Sequence, residues 1–403
     1  MTPHPGWLAS ATASPGQSPG ALDEQRRAYS ASPDDLRPGN HITILRDGLE
    51  TFPAMLAAIE RARRFIHLET YIIESDAIGK RFAEALIRKS REGVTVRVMW
   101  DAFGSWFLAP SFARSLREAG IDVIEYRPLR FWRRRTRWSR RDHRKILVAD
   151  GEVGFLGGIN LSMDYAPLDE GGNGWRDTHA LVRGPVVADL ERLFRFTWLG
   201  ESGPHYPFDP GVALEAVVTR DTDWAAVIAN GDRERRGAIR RHYLQAIRRA
   251  TRSIDVASAY FVPDPSLRRA LERAAGRGVR VRLILPRDSD VRTVQYASEH
   301  LYGRLLRAGV EIHLWPKTHM HAKTAVIDGC WSTIGSYNLD NMSLLLNLEL
   351  MLEVVSTDFG QRMERMFRDD LESCQRLAPE TWRQRSWPLR LASRLAYRGR
   401  RWL

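Results

Sequence analysis

Two short stretches of the chain place a lysine two residues after a histidine. They are His143-Arg144-Lys145 and His321-Ala322-Lys323. On a strand, residues i and i+2 project from the same face, about 6.6 Å apart, so one pocket can receive both side chains. A neutral imidazole can attack phosphorus, and an ammonium beside it can bind the non-bridging oxygens of a phosphate. The two pairs therefore predict a site that acts on a phosphodiester.

A second imidazole supplies what a two-step displacement needs. After one histidine attacks, the other can protonate the departing alkoxide and then deprotonate the incoming water or alcohol. This chemistry requires no metal. Cys330 and Cys374 lie far apart without a CxxC or a histidine-rich neighbour, so neither a zinc site nor a disulfide framework is indicated. We expect a phosphohistidine intermediate, with neither metal nor cofactor.

The motifs belong to an internal repeat. His143 and His321 are 178 positions apart, and the same offset relates the paired lysines, aspartates, glycines and asparagines of an ungapped block of 18 residues: Lys145 and Lys323, Asp150 and Asp328, Gly157 and Gly335, Asn160 and Asn338. Chance does not plausibly produce this match. Both His-Lys pairs are therefore predicted to be catalytic.

Three further pairs of residues are candidates for the site. Asp150 and Asp328 complete each motif, but each precedes a glycine between apolar runs, so we expect them to support a hairpin rather than to react. Small residues before Asn160 and Asn338 allow close approach to a phosphate, which predicts substrate-binding amides. Asp177 and Glu349 occupy similar positions in the two halves, and each could hold the ring of its histidine in one tautomer.

Alternating strands and helices must position these side chains. The pattern predicts strands at 65–73, 94–100 and 121–126 with helices at 80–92 and 110–119, and the series returns at 254–315. We predict an α/β fold of two halves, 39–205 and 206–375. Residues 1–38 are rich in Pro, Ser, Ala and Gly and are predicted to be a mostly disordered lead-in, and 376–403 form a basic tail containing Trp and Arg.

The net charge indicates an anionic partner. The chain has 61 Lys and Arg against 49 Asp and Glu, a formal charge of +12. Arginine pairs well with phosphate, so nucleic acid and acidic lipid headgroups both fit. The sequence contains no run of about 18 apolar residues, the length that a spanning helix requires. We expect the body of the protein to be soluble or peripheral.

The paired HxKxxxxD motifs, followed by GGxN or GSxN, resemble the phospholipase D superfamily over nearly the whole chain after about residue 40. This resemblance implies two mixed β-sheets flanked by helices, related by a pseudo-twofold axis with the active site at their interface. It also implies that one histidine forms the covalent intermediate while the other acts as acid and base. The usual order of motifs in the superfamily gives the nucleophile to His143.

Four segments are similar to the bacterial cardiolipin synthases, especially the short type without amino-terminal membrane helices: 69–72, 175–178, 259–263 and 338–340. The resemblance implies phosphatidyl transfer to phosphatidylglycerol, giving cardiolipin and a small alcohol. Anionic phospholipid and the cytoplasmic surface of the cell membrane are then the expected partners, with neither nucleic acid nor an obligate protein partner. The residues alone leave open a phospholipase-type hydrolase, a nuclease and an inactive membrane-binding scaffold.

Two segments could supply membrane contact. Residues 130–145 contain nine Arg or Lys with three aromatic residues, Phe131, Trp132 and Trp138. Residues 381–403 contain seven Arg and no acid, with Trp382, Trp387 and Trp402. Arginine with interfacial tryptophan is typical of elements that bind anionic membrane surfaces.

Overall fold

A computed structural model describes residues 19–128, 140–202, 223–231 and 237–400. Phe131, Trp132, Trp138 and Trp402, which are predicted membrane contacts, lie outside these ranges. So do residues 1–18 and the predicted boundary between the halves at 205/206.

The first half alternates strands and helices, and each element predicted between residues 65 and 126 starts within a few residues of its expected position. Its elements are α1 (Pro19–Tyr29), β1 (Arg37–Arg46), α2 (Asp47–Arg61), β2 (Phe65–Thr70), α3 (Ala77–Arg91), β3 (Thr95–Asp101), α4 (Pro110–Glu118), β4 (Asp122–Tyr126), β5 (Ile146–Ala149), β6 (Val153–Gly157), β7 (Thr178–Arg183) and α5 (Val186–Ser202).

The second half repeats the series. Its elements are β8 (Asp223–Asn230), α6 (Ala238–Arg249), β9 (Ser253–Ser258), α7 (Pro265–Gly276), β10 (Arg280–Pro286), α8 (Arg292–Arg307), β11 (Glu311–Trp315), β12 (Lys323–Ile327), β13 (Trp331–Gly335), α9 (Asn341–Leu345), β14 (Glu349–Val355), α10 (Thr357–Glu372), β15 (Gln375–Arg376), α11 (Pro379–Arg383) and α12 (Trp387–Arg398).

The strands of the described residues form one sheet of 15, in the order β15-β11-β10-β9-β12-β13-β14-β8-β1-β7-β6-β5-β2-β3-β4. The order is mirrored about the pair β1 and β8, which are equivalent strands and run antiparallel, as a twofold relation requires. Strands β2, β3 and β4 are parallel to one another, and so are β9, β10 and β11. The α/β class and the two related halves are thus confirmed, with the strands of the two halves joined edge to edge in one continuous sheet.

Each half has its own apolar core, and a third core unites them. Ile42, Val182, Ile334 and Leu350 are all buried in this shared cluster, which draws on strands of both halves. Burial of apolar side chains contributes roughly 1.5–3 kcal/mol per large residue. The halves therefore hold one another in a definite relative position, and a site that uses residues from both can be preorganised.

The predicted disorder of residues 19–38 is wrong. Helix α1 packs against α6, the hydroxyl of Tyr29 donates to Asp328 Oδ2 at 2.6 Å, and Ser30 Oγ donates to Glu353 Oε2 at 2.9 Å. The composition of this segment is poor in apolar residues, but Leu36 is buried in the core of the second half and Leu22 packs against it. A few well-placed apolar residues order a segment that lacks a periodic pattern.

The described part of the tail docks on the second half. Trp382 packs against Tyr302 with ring centroids 5.1 Å apart, and Tyr397 stacks on His300 at 4.7 Å. Along the exposed side of α12 lie Trp387, Leu391 and Leu395. Among the described helices, none has both the length and the apolar character needed to cross a bilayer.

Candidate active site at the junction of the two halves

The two His-Lys segments lie at the carboxyl ends of the parallel strands, where α/β folds commonly bind ligands. Each lies just before a hairpin, because β5 pairs with β6 and β12 pairs with β13. The backbone N–H of His143 donates to the carbonyl of Leu348 at 3.0 Å, and that of His321 donates to the carbonyl of Arg176 at 2.7 Å. Each His-Lys segment is therefore fastened to a segment of the other half.

This crossing decides which carboxylate meets which histidine. Asp177 Oδ2 lies 2.7 Å from His321 Nδ1, and both carboxylate oxygens of Glu349 lie 3.1 Å from His143 Nδ1. The prediction that each carboxylate holds the histidine of its own half is wrong. The loops that carry Asp177 and Glu349 cross the junction, so each half orients the histidine of its counterpart.

Burial sets the protonation state of the imidazoles. His143 is 8% exposed and His321 is 5% exposed. Burial lowers the pKa of both rings; for His143 the carboxylate of Glu349 opposes this shift, and Lys145 adds to it. A neutral ring that donates Nδ1–H to a carboxylate keeps the lone pair of Nε2 for attack or for proton transfer.

The carboxylates are fully buried, so their charge depends on their partners. Burial raises the pKa of Glu349, but His143, the hydroxyl of Ser336 and Lys145 outweigh it and hold the pKa below its usual value. Burial raises the pKa of Asp177, against the opposing effect of Lys323. Glu349 is thus an ionised acceptor, and Asp177 is the more easily protonated of the two.

Both lysines are buried together in the site. Burial, together with the nearby charge of Lys323, lowers the pKa of Lys145 to about 7. Burial lowers the pKa of Lys323 to about 8. The Nζ of Lys145 donates to the carbonyl of His143 at 2.6 Å. Two cations with depressed pKa values in one site favour binding of an anion, which restores their charged form.

The motif aspartates lie at the far ends of the hairpins. Asp150 and Asp328 have φ values of 56° and 52°, and each is followed by a glycine with positive φ, as a type I′ turn requires. The carboxylate of Asp150 accepts from the backbone N–H groups of Arg63, Arg64 and Phe65 at 2.8–2.9 Å. Although they belong to the candidate catalytic motif, the structure gives both a supporting position, as expected from the turn pattern.

The two asparagines are buried beside the site but differ in their contacts. Asn160 Oδ1 accepts from the backbone N–H of Ile72 at 3.1 Å, and its Nδ2 donates to the hydroxyl of Tyr165 at 2.9 Å. These hydrogen bonds hold protein groups in position, and neither is directed to a phosphate. The Oδ1 of Asn338 has no hydrogen-bond partner among the described residues. Substrate binding by these amides stays a prediction.

Three tyrosines in the site escaped prediction. The ring of Tyr71 packs edge-on against His143 with centroids 4.9 Å apart, and Tyr260 packs similarly against His321 at 6.4 Å. Tyr71 and Tyr260 are 189 positions apart, which is also the offset between Gly120 and Gly309 in the part of the repeat before the His-Lys segments, and this match could have signalled them. The hydroxyl of Tyr165 lies 3.1 Å from His321 Nδ1, whereas its counterpart Ser343 donates to Glu349 at 2.9 Å. The near-twofold site is therefore chemically asymmetric.

Comparison with known proteins identifies the family. A family model described as "Cardiolipin synthase, PLD-like domain" matches residues 55–192 and 243–371. The chain belongs to this family. A cardiolipin synthase of Geobacillus kaustophilus is 36% identical over 91% of this chain and 73% of its own length. Cardiolipin synthase A of Pseudomonas putida is 36% identical over 85% of this chain and 70% of its own length.

A solved structure supports the fold of this cardiolipin synthase family member. The phosphatidylserine synthase of Haemophilus influenzae Rd KW20 matches with a TM-score of 0.69 at 13% identity, covering 95% of this chain and 100% of that chain. At this identity the likeness shows the fold alone. The resemblance inferred from the paired motifs is confirmed.

Proposed function

We propose that this protein transfers a phosphatidyl group from one phospholipid to the free hydroxyl of phosphatidylglycerol, making cardiolipin through a covalent phosphohistidine. The observation that carries the proposal is the pair of buried histidines, each held at Nδ1 by a carboxylate from the other half. Membership of the cardiolipin synthase family supports the substrate class and the transfer reaction.

In the first step, Nε2 of His143 attacks phosphorus while His321 gives its proton to the departing alkoxide. A bond from nitrogen to phosphorus forms, and the bond from phosphorus to the leaving oxygen breaks. In the second step, His321 takes the proton of the phosphatidylglycerol hydroxyl, whose oxygen displaces His143 from phosphorus. The same imidazole thus serves as acid and then as base, as a reversible displacement requires.

The electrostatics of the site suit this cycle. Burial lowers the pKa of His321 well below its usual value, so the free site does not hold the working proton at neutral pH. A bound phosphodiester brings a negative charge that raises the proton affinity of the rings and of Lys145 and Lys323. Substrate and proton therefore enter together. The two ammonium groups then bind the non-bridging oxygens, where negative charge builds up in the transition state.

We assign the attack to His143 on the usual order of motifs in the superfamily. Glu349 supports this assignment, because an ionised carboxylate with both oxygens at 3.1 Å from Nδ1 fixes the ring and stabilises positive charge on it. Lys145 and Lys323 bind phosphate, Asp177 orients His321, and Asp150 and Asp328 hold the hairpins. No metal or cofactor takes part in this scheme.

We further propose that the protein acts as a peripheral protein at the cytoplasmic surface of the cell membrane, with anionic phospholipids as partners. The exposed stripe of Trp387, Leu391 and Leu395 on α12 supports this location. Arg390 and Arg394 are exposed beside it. Apolar and cationic stripes side by side fit a negatively charged bilayer surface.

The test is incubation of the purified protein with vesicles of labelled phosphatidylglycerol, followed by lipid analysis. Wild type is expected to form cardiolipin, and His143→Ala and His321→Ala are expected to form none. His313→Ala is the matched control, because His313 lies on β11, outside the site. Phosphatidic acid as the only product would indicate a hydrolase, cleavage of DNA or RNA without lipid turnover would indicate a nuclease, and no turnover would indicate a scaffold.

A quenching experiment tests the intermediate and its position. Protein quenched in base should carry the label in a linkage that is stable to base and that later acid treatment hydrolyses, as expected for phosphohistidine. His321→Ala slows the release of the intermediate and is expected to retain some label, whereas His143→Ala retains none. Label on His143→Ala alone would reverse the assignment of the nucleophile.

A further inference from the structure

The loop between β3 and α4 exposes three aromatic side chains. Phe103 is 57% exposed, Trp106 is 53% exposed and Phe107 is 91% exposed. Single exposed apolar residues are common on soluble proteins, but three aromatics within five positions form a contiguous apolar feature. A contiguous group of exposed aromatic side chains indicates a surface that binds a partner.

The loop is fixed to the catalytic site. Ser105 Oγ donates to the carbonyl of Tyr71 at 3.2 Å and accepts from the backbone N–H of Ile73 at 3.0 Å. A Cβ added at Gly104 would lie 2.3 Å from the same carbonyl, so no larger residue fits there. Tyr71 in turn packs against the ring of His143. The exposed aromatics therefore lie one layer of side chains from the catalytic histidine.

The base of the loop is also fixed. Asp101 Oδ1 accepts from the backbone N–H groups of Phe103 and Gly104 at 2.8 and 3.1 Å, and its Oδ2 accepts from that of Asp142 at 2.9 Å. One carboxylate thus ties the loop to the residue that precedes His143. The aromatics are presented by an ordered turn, whose conformational entropy is already lost before it meets a partner.

The fold does not itself require aromatic residues in this loop. In the second half, the equivalent connection between β10 and α8 spans residues 287–291, with the sequence Arg-Asp-Ser-Asp-Val. It contains no aromatic residue, and the side chain of Asp288 is 81% exposed. The same architecture is therefore built with a polar loop, which leaves the aromatic loop to be explained by function.

The net charge of the chain suits an anionic surface. At the base of the loop the buried guanidinium of Arg141 lies 3.6 Å from Asp101 Oδ1 and 5.7 Å from the ring centroid of Phe103, so it supports the loop from within. Exposed aromatic rings are typical of elements that lie at the boundary of headgroups and acyl chains. The formal charge of +12 adds long-range attraction to such a surface.

We propose that Phe103, Trp106 and Phe107 insert into the interfacial layer of an anionic phospholipid bilayer and bring the catalytic site against the headgroups. This rests on the proposed function, since it takes the substrate to be a bilayer lipid. A phosphodiester of such a lipid lies at headgroup level, next to the layer where these rings dock. The loop is a second docking element, in addition to α12. Of the two elements, the loop is the one connected to His143.

The decisive measurement is quenching of tryptophan fluorescence by phosphatidylglycerol vesicles whose acyl chains carry bromine. Trp106→Phe keeps an apolar ring and removes one fluorophore. If Trp106 enters the bilayer, wild type loses more fluorescence on binding than the variant does. Equal quenching of the two proteins would overturn the proposal.

A vesicle-binding series supplies the second measurement. Phe107→Ser is expected to weaken binding to phosphatidylglycerol vesicles about tenfold, because a large apolar side chain is removed from the interface. Phe196→Ser on α5 is the matched control, since Phe196 is 68% exposed and outside the loop. Binding of Phe107→Ser equal to wild type, or equal losses in both variants, would contradict the proposal.

Other occupants of the loop surface give different results. If another protein surface, such as a second copy of the chain, covered it, bromine would not quench Trp106. If a second copy covered the loop, the mass measured by sedimentation without lipid would also be lower for Phe107→Ser than for wild type. The inference and the proposed function fail separately: quenching of Trp106 without cardiolipin formation refutes the function, and cardiolipin formation without that quenching refutes the inference.

Discussion

Replacing Glu349 with glutamine tests the crossed pairing most directly. The change preserves the size of a fully buried side chain and removes its charge. Besides His143, the carboxylate accepts from Ser336 Oγ, Ser343 Oγ and Asn347 Nδ2. All four neighbours offer donors to an ionised acceptor, and an amide cannot accept through both of its ends. Glu349→Gln therefore disturbs the orientation and the proton affinity of the His143 ring.

The expected loss follows from the hydrogen bonds that are weakened. A hydrogen bond to a charged group contributes about 1.5–3 kcal/mol. If the bond is worth this much to the transition state, in which His143 becomes positively charged, kcat/KM for cardiolipin formation falls by a factor of about 10–150. The loss should fall on formation of the phosphoenzyme, since that is the step His143 performs in the proposed scheme.

The chain offers a matched control on the same strand. Glu353 of β14 is also fully buried, lies 2.9 Å from His242 Nδ1 and accepts from Trp331 Nε1 at 2.7 Å. Glu353→Gln breaks the same kind of pair away from the site. It is expected to lower the free energy of unfolding without slowing phosphoenzyme formation in the folded protein. Urea unfolding and rapid-quench labelling of both variants measure the two effects.

Two outcomes would refute this reasoning. One is a rate of phosphoenzyme formation in Glu349→Gln within twofold of wild type. The other is a loss in Glu349→Gln no greater than that in Glu353→Gln, which would show that Glu349 only stabilises the fold. A loss in Asp177→Asn confined to phosphoenzyme formation would point instead to pairing within each half.

Three further changes test other parts of the structure. Since burial lowers the pKa of Lys145 to about 7, activity should decline as pH rises through 7–8. In urea unfolding, Lys145→Met should stabilise the protein more at pH 6 than at pH 10, because the unfolded lysine stays protonated up to about pH 10 while the buried lysine loses its proton near pH 7. An equal effect at both pH values contradicts a buried ammonium. Asp150→Ala should lower the free energy of unfolding by about 2–3 kcal/mol, because three backbone N–H donors lose their acceptor at a turn of positive φ. The folded protein should retain its turnover, and lost turnover in fully folded protein contradicts a supporting role. Arg176→Met should cost about 3 kcal/mol in urea unfolding, because it removes the paired charge from buried Asp370, and adding Asp370→Asn should recover part of that loss; no recovery argues against the pair.

Much of the fold was predictable because its signals are local. The strand and helix pattern around 65–126 and 254–315 depends on residue periodicity, and the hairpins at Asp150 and Asp328 depend on an Asp-Gly pair between apolar runs. The internal repeat of His143 and His321 could be read from spacing alone. The order of α1 could not, because it comes from packing of Leu22 and Tyr29 on a distant core.

The sequence by itself supplied the residues that we propose carry the chemistry, namely two imidazoles, two ammonium groups and two carboxylates repeated in matching order. Only the tertiary structure decided how they combine. The partner of Asp177 is His321 and the partner of Glu349 is His143, because the loops that hold the carboxylates cross the junction between the halves. Tyr165 reaches His321 for the same reason. Contacts across a twofold junction depend on how two folded halves pack, and no offset along the chain encodes that packing.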